Sequence, residues 1–91
     1  MTEELWIKVY GDVQGVGFRW KAREMARSMN LTGYSKNLPD GTLEIIAQGD
    51  KKTLEKYLEW VEIGPSLARV DKIDSEFRTP QKKYADFKIE W

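Results

Sequence analysis

The chain has no cysteine and no histidine among its 91 residues. Without cysteine there is no disulfide framework, no thiol chemistry and no thiolate metal site. The lack of histidine is more restrictive. It removes Ser-His-Asp catalysis, His-ligated zinc and the usual general base near neutral pH. No apolar run approaches the roughly 18 residues of a membrane span. The opening Met1-Thr2-Glu3-Glu4-Leu5 is short and acidic, unlike a signal peptide, so the expected location is the cytoplasm. An excess of charge is also missing, because fifteen Lys and Arg balance fifteen Asp and Glu. General nucleic-acid binding and a polybasic membrane face both call for surplus positive charge, so neither partner is expected.

What is present is enough for one core. The content is 41% hydrophobic and 12% aromatic, which argues against disorder. At this length a chain forms a single domain, here residues 1–91, and buries roughly 60–65% of its unfolded surface. A small single core favours a monomer.

Glycine is concentrated where it is most informative. Gly11-Asp12-Val13-Gln14-Gly15-Val16-Gly17-Phe18-Arg19 holds three glycines in nine residues and ends on an arginine. Glycine lifts the steric bar to positive φ, so successive N–H groups can point into one concavity. A helix starting at the far end adds partial positive charge there. The arginine adds a full charge and a planar fork that fits phosphate or carboxylate. The stretch reads as an anion cradle. It is not a P-loop, because no lysine followed by serine or threonine closes it. It is not a dinucleotide fingerprint either, since Trp20 stands where a small residue must sit.

The flanking periodicities supply the scaffold. Leu5, Ile7 and Val9 alternate with Trp6, Lys8 and Tyr10, which predicts a strand leading into the cradle. Phe18, Ala22, Met25, Ala26 and Met29 share one helical face, which predicts a helix over 18–30. Leu31 to Leu38 and Thr42 to Gln48 predict a hairpin around Pro39-Asp40-Gly41. Asp50 caps a second helix with the stripe Leu54, Tyr57, Leu58, Val61, and Gly64-Pro65 stops it. Leu67 to Phe77 predicts a strand whose apolar phase slips between Val70 and Ile73, the mark of a bulge or bend. Phe87, Ile89 and Trp91 predict a short final strand. The order is β-α-β-β-α-β with an extra C-terminal strand. Both helices have one apolar face. The fold class is therefore α+β, a ferredoxin-like two-layer α/β sandwich with a mainly antiparallel sheet and both helices on one face.

Two stretches carry a resemblance to a known family. Gly11-x-Val13-Gln14-Gly15-Val16-Gly17-Phe18-Arg19 resembles the first signature of the acylphosphatases. Gly33-Tyr34-Ser35-Lys36-Asn37-Leu38-Pro39-Asp40-Gly41-Thr42 resembles the second. Their spacing, Gly49, and Gly64-Pro65-x-x-Ala68-x-Val70 also fit, so the resemblance covers essentially the whole chain. It implies hydrolysis of a small-molecule acyl phosphate to a carboxylate and inorganic phosphate. It implies phosphate binding by the backbone amides of Gln14, Gly15, Val16, Gly17, Phe18 and Arg19 and by the Arg19 guanidinium. It assigns positioning of the attacking water to the Asn37 side chain, and brings Arg19 and Asn37 together at one edge of the sheet.

That chemistry suits a chain without histidine. A carboxylate leaves well, because its conjugate acid has a pKa of about 4. Phosphoryl transfer then asks for charge stabilisation and in-line positioning. No metal or cofactor is expected. Asp12, at a position where the family often has a basic or polar residue, is expected to point to solvent or to pair with Lys36 or Lys21. Trp6, Trp60 and Trp91 read as packing or interface residues, whereas Trp20, next to the arginine, has the better claim to border the site. The competing class is a non-catalytic phosphate- or ligand-binding module, with Trp6 and Tyr10 as stacking residues on an open sheet face.

Overall fold

The computed structural model describes residues 2–91, so Met1 of the acidic opening lies outside the described residues. The elements are β1 (Glu3–Asp12), α1 (Phe18–Ser28), β2 (Thr32–Asn37), β3 (Leu43–Gly49), α2 (Lys51–Ile63), β4 (Arg69–Arg78) and β5 (Phe87–Glu90). They form one five-stranded sheet in the order β4-β1-β3-β2-β5. Every pairing is antiparallel except β2 with β5, which is parallel. The order of elements and the two-layer sandwich are those expected from the periodicities.

Alternation decides which face is buried. Leu5, Ile7 and Val9 of β1 and Leu43, Ile45 and Ala47 of β3 are fully buried beneath the helices. Phe18, Ala22 and Ala26 of α1 and Leu54, Tyr57 and Val61 of α2 complete this core. Tyr57 stacks on Trp60 with ring centroids 6.0 Å apart and meets Phe87 edge-on at 6.3 Å. Its hydroxyl donates to the Ala22 carbonyl at 2.8 Å, which ties α2 to α1 and satisfies a polar atom inside the core.

Element boundaries differ from the sequence reading by one or two residues, and two of these differences have a clear local reason. α1 ends at Ser28 and does not reach Asn30, because Leu31 N–H returns to the Ala26 carbonyl and Asn30 takes φ 60°. β4 begins at Arg69, two residues later than expected. Ala68 N–H bonds the Pro65 carbonyl in a turn, leaving Leu67 exposed.

The slip in β4 is a bulge that shapes the site. Tyr10 pairs with Lys72 but Gly11 pairs with Val70, so Asp71 is the extra residue. This returns Val70 and Ile73 to the core side despite their three-residue spacing. It also presses β4 onto the end of β1. A Cβ on Gly11 would land on the Arg69 carbonyl oxygen, so glycine is needed where β1 gives way to the loop.

Candidate active site

The cradle follows directly from β1. Gly15 and Gly17 hold φ 74° and 77°, the left-handed region, with open space where a Cβ would stand. Glycine is required here by conformation and not by crowding, in contrast to Gly11. Gly17 is the N-cap of α1, and no side chain caps that helix. Its first N–H groups therefore face the loop without a protein acceptor, and its first turn carries no acidic residue to neutralise the helix dipole. α2 is built the other way, since the Asp50 carboxylate accepts from Thr53 N–H at 3.4 Å. The amphipathic face of α1 anchors the cradle from below through buried Phe18, and Val13 is buried at its start.

Arg19 lies in the first turn of α1. Its guanidinium stacks 4.4 Å from the centre of the Trp91 ring, and Nη1 donates to the Glu90 carbonyl at 3.4 Å. The start of the helix is fixed to the sheet by the fully buried Ser35, whose hydroxyl donates to the Arg19 carbonyl at 3.1 Å.

Asn37 is the last residue of β2, opposite Leu43 in the hairpin. Its Oδ1 is buried and has no hydrogen-bond partner in the protein, alone in this among the described side chains. A buried acceptor left unpaired costs about 1–3 kcal/mol, so such an atom marks a place where a ligand or water completes the bonding. The hairpin tip beyond it is well anchored. Asp40 accepts from Thr42 N–H at 3.0 Å and from the Thr42 hydroxyl, and Lys8 stands 3.1 Å from its carboxylate. These contacts, with the Thr42 hydroxyl first, then the Thr42 N–H and then Lys8, hold the Asp40 carboxyl down at about 2.

The pieces converge. Gly15, Gly17, Phe18, Arg19 and Asn37 line one cavity of about 310 Å³ at the loop end of the sheet. Its remaining walls are apolar, from Val13, Trp20, Ile89 and Trp91. Gln14 and Val16 do not line it. The Gln14 side chain turns instead to the hairpin, and Val16 packs against the core.

This geometry changes the reading of Trp91, meets one of the two alternatives expected for Asp12, and adds a link that the sequence did not announce. Trp91, read as a packing or interface residue, is 89% exposed, lines the cavity and covers Arg19. The parallel register of β5 on β2 brings it there, and parallel pairing of a four-residue strand leaves no turn signal to read. Asp12 does point to solvent, but its neighbour is Arg69 across the β1–β4 ladder and not Lys36 or Lys21. The side-chain link from Gln14 to the hairpin joins residues 24 and 28 positions apart, which no local pattern announces. Trp20 borders the site as expected. Among the described residues no group of three or more His, Cys, Asp or Glu side chains is placed to hold a metal ion. Among the described residues no helix is long and apolar enough to cross a membrane.

Comparison with known proteins agrees with the geometry. The family model described as Acylphosphatase matches residues 5–89. A protein named acylphosphatase from Thermococcus kodakarensis is 41% identical over 75 residues, covering 82% of this chain and 82% of its own. The structure of an acylphosphatase from Coxiella burnetii superposes with a TM-score of 0.92 at 34% identity, covering 98% of this chain and 93% of that one. The crystal structure of acylphosphatase from Bacillus subtilis gives 0.93 at 32% identity, covering 98% and 99%. With the match spanning nearly every residue and the fold shared throughout, the chain belongs to the acylphosphatase family and is a hydrolase of that class.

Proposed function

We propose that the chain hydrolyses the carboxyl–phosphate bond of a small acyl phosphate by direct attack of a water held by Asn37. The observation that carries this reading is the unpartnered, buried Asn37 Oδ1 on the wall of the cavity that also holds Arg19 and the glycine loop. The phosphoryl oxygens take the uncapped N–H groups of the loop and the first turn of α1, together with the Arg19 guanidinium. Asn37 offers an acceptor to the O–H of water and a donor to a phosphoryl oxygen, which aims the lone pair at phosphorus. As the water oxygen bonds to phosphorus, the bond to the carboxyl oxygen breaks and its electron pair leaves as a carboxylate. The water proton passes to a phosphoryl oxygen, giving inorganic phosphate. Charge stabilisation comes from donors already in place, which is where such sites gain most of their rate.

The reading includes a monomer acting in the cytoplasm, without metal or cofactor. It includes no nucleic-acid partner, in keeping with the neutral charge balance. The stacking platform imagined on the open sheet face finds its aromatics already engaged. Trp6 donates to Glu44 at 3.0 Å beneath Arg78, and Tyr10 donates to Asp74 at 2.9 Å.

The test is turnover of benzoyl phosphate by the purified protein in EDTA. We expect activity in the wild type and a loss on the order of 10²–10³ in kcat for Asn37→Ala and for Arg19→Ala, with both variants folded. Wild-type rates in both variants would remove the residue assignments, and a wild type that binds phosphate without turnover would favour the binding module.

A further inference from the structure

We propose that the acyl group of the substrate lies across the Trp20 indole, in a groove between α1 and α2, so that this chain favours apolar aromatic acyl phosphates over short ones. The inference rests on the phosphate site proposed above and concerns what lies beyond it. The groove has a volume of about 480 Å³ and lies between Trp20, Glu24, Met25 and Ser28 on α1 and Trp60 and Pro65 on or just after α2. Trp20 is the one residue that it shares with the phosphate cavity, so the indole is a common wall between them.

Direction follows from the reaction. Asn37 enters the cavity from β2 and would hold the attacking water, while Trp20 enters from α1. In-line displacement places the departing carboxylate away from the water, on the side that α1 supplies. Of the other aromatics of the cavity, Trp91 is already engaged with the Arg19 guanidinium and Phe18 is buried in the core. Trp20 is 49% exposed and offers a ring face to a planar acyl group, partly covered by Lys21 at 5.2 Å.

The groove is preformed, and its two charged side chains are Lys21, which lies over the Trp20 ring, and Glu24. Trp60 is held by its stack on Tyr57 and by the Phe18 edge at 6.0 Å, so its position is fixed before any ligand arrives. Met25 is a flexible, polarizable wall that adapts to ring shape. Glu24 is paired with Arg23 at 3.1 Å. An aromatic acyl group gains stacking and apolar burial here, and an acetyl group has only a methyl to place against the indole.

The measurement is the ratio of kcat/KM for benzoyl phosphate to that for acetyl phosphate. Trp20→Ala is expected to lower this ratio roughly five- to tenfold. Ser66 lines the groove just after Pro65, and Ser66→Trp, which narrows it, is expected to lower the corresponding ratio for 2-naphthoyl phosphate over acetyl phosphate and carries the test if Trp20→Ala does not fold. A loss shared equally by long and short substrates overturns the acyl site, because Trp20 then acts on the phosphate end alone. Ratios equal to wild type in both variants overturn it as well. Wild-type turnover of acetyl phosphate reports on the hydrolase reading by itself, and a wild type that cleaves neither substrate overturns both.

Discussion

Gln14 and Leu38 couple the two halves of the site: the Gln14 amide donates to the Leu38 carbonyl at 2.8 Å, and the same nitrogen donates to the Thr42 carbonyl at 2.9 Å. Leu38 is the residue after Asn37, so the loop that would hold phosphate is clamped to the strand end that would hold water. Gln14→Leu removes both bonds while keeping the side-chain volume. Each carbonyl keeps a turn partner, Gly41 N–H for Leu38 and Leu38 N–H for Thr42, so the cost in stability is only about 1 kcal/mol. Activity is more sensitive, since a displacement of about 1 Å at a reacting centre costs up to about 10² in rate. Urea unfolding beside benzoyl phosphate turnover separates the two effects. A variant with full kcat would show that loop and hairpin hold their relative positions without Gln14.

The loop glycines should divide into two kinds. At Gly11 an added Cβ meets the Arg69 carbonyl, so Gly11→Ala forces β1 and β4 apart and should destabilise the whole sheet. At Gly15 there is room for a Cβ, and only the left-handed backbone opposes it, at about 1–2 kcal/mol. Gly15→Ala should therefore fold, with a lowered thermal midpoint, but bind inorganic phosphate more weakly because its loop relaxes away from positive φ. Isothermal titration with phosphate checks this. Equal phosphate affinity in folded Gly15→Ala would mean that the loop conformation does not set the anion site.

Much of this was readable from the chain because the relevant signals are local. Alternation in β1 and β3 and the stripes of α1 and α2 name the core, since a sheet face or helix face must be buried as a set. The phase slip between Val70 and Ile73 marked the β4 bulge for the same reason. The convergence of Arg19 and Asn37 was different in kind. Nothing in their own neighbourhoods brings residues 19 and 37 to one cavity; the resemblance supplied it, and the sheet order realises it. Trp91 over Arg19 was not legible at all, because it depends on a parallel edge strand arriving from 54 positions away on its partner (Gly33 to Phe87). The direction of Asp12 depends likewise on the distant Arg69.

Acid should loosen the hairpin before it affects the rest of the site. Asp40 sits in the folded protein at about 2, below its ordinary 3.8, because Thr42 donates to it twice and Lys8 pairs with it. The unfolded chain therefore takes up this proton first as pH falls. The stabilisation is complete above about pH 5, fades from the ordinary value downward and is gone below about 2. Asp40→Asn should have a lower thermal midpoint than wild type at pH 5, with the gap closing as pH approaches 2. A gap of constant size would place the effect in the shape of the turn and not in the charge.

The last prediction concerns how Arg19 is held. With the Trp91 ring 4.4 Å away and the Glu90 carbonyl at 3.4 Å, the guanidinium has a resting place at the tip of β5. A cation over an exposed ring gains about 0.5–1 kcal/mol, and the stacked fork loses less freedom when it turns to an anion. Trp91 is thus a positioning residue, acting through Arg19. Trp91→Leu keeps an apolar cover but has no ring face for the cation. It should raise KM and the inhibition constant of phosphate by about two- to fivefold and change kcat less, while Trp91→Phe recovers most of the loss. Stability should hardly move, because the indole is 89% exposed. If Leu and Phe behave alike, the ring face is not what holds the arginine, and Trp91 contributes only apolar cover.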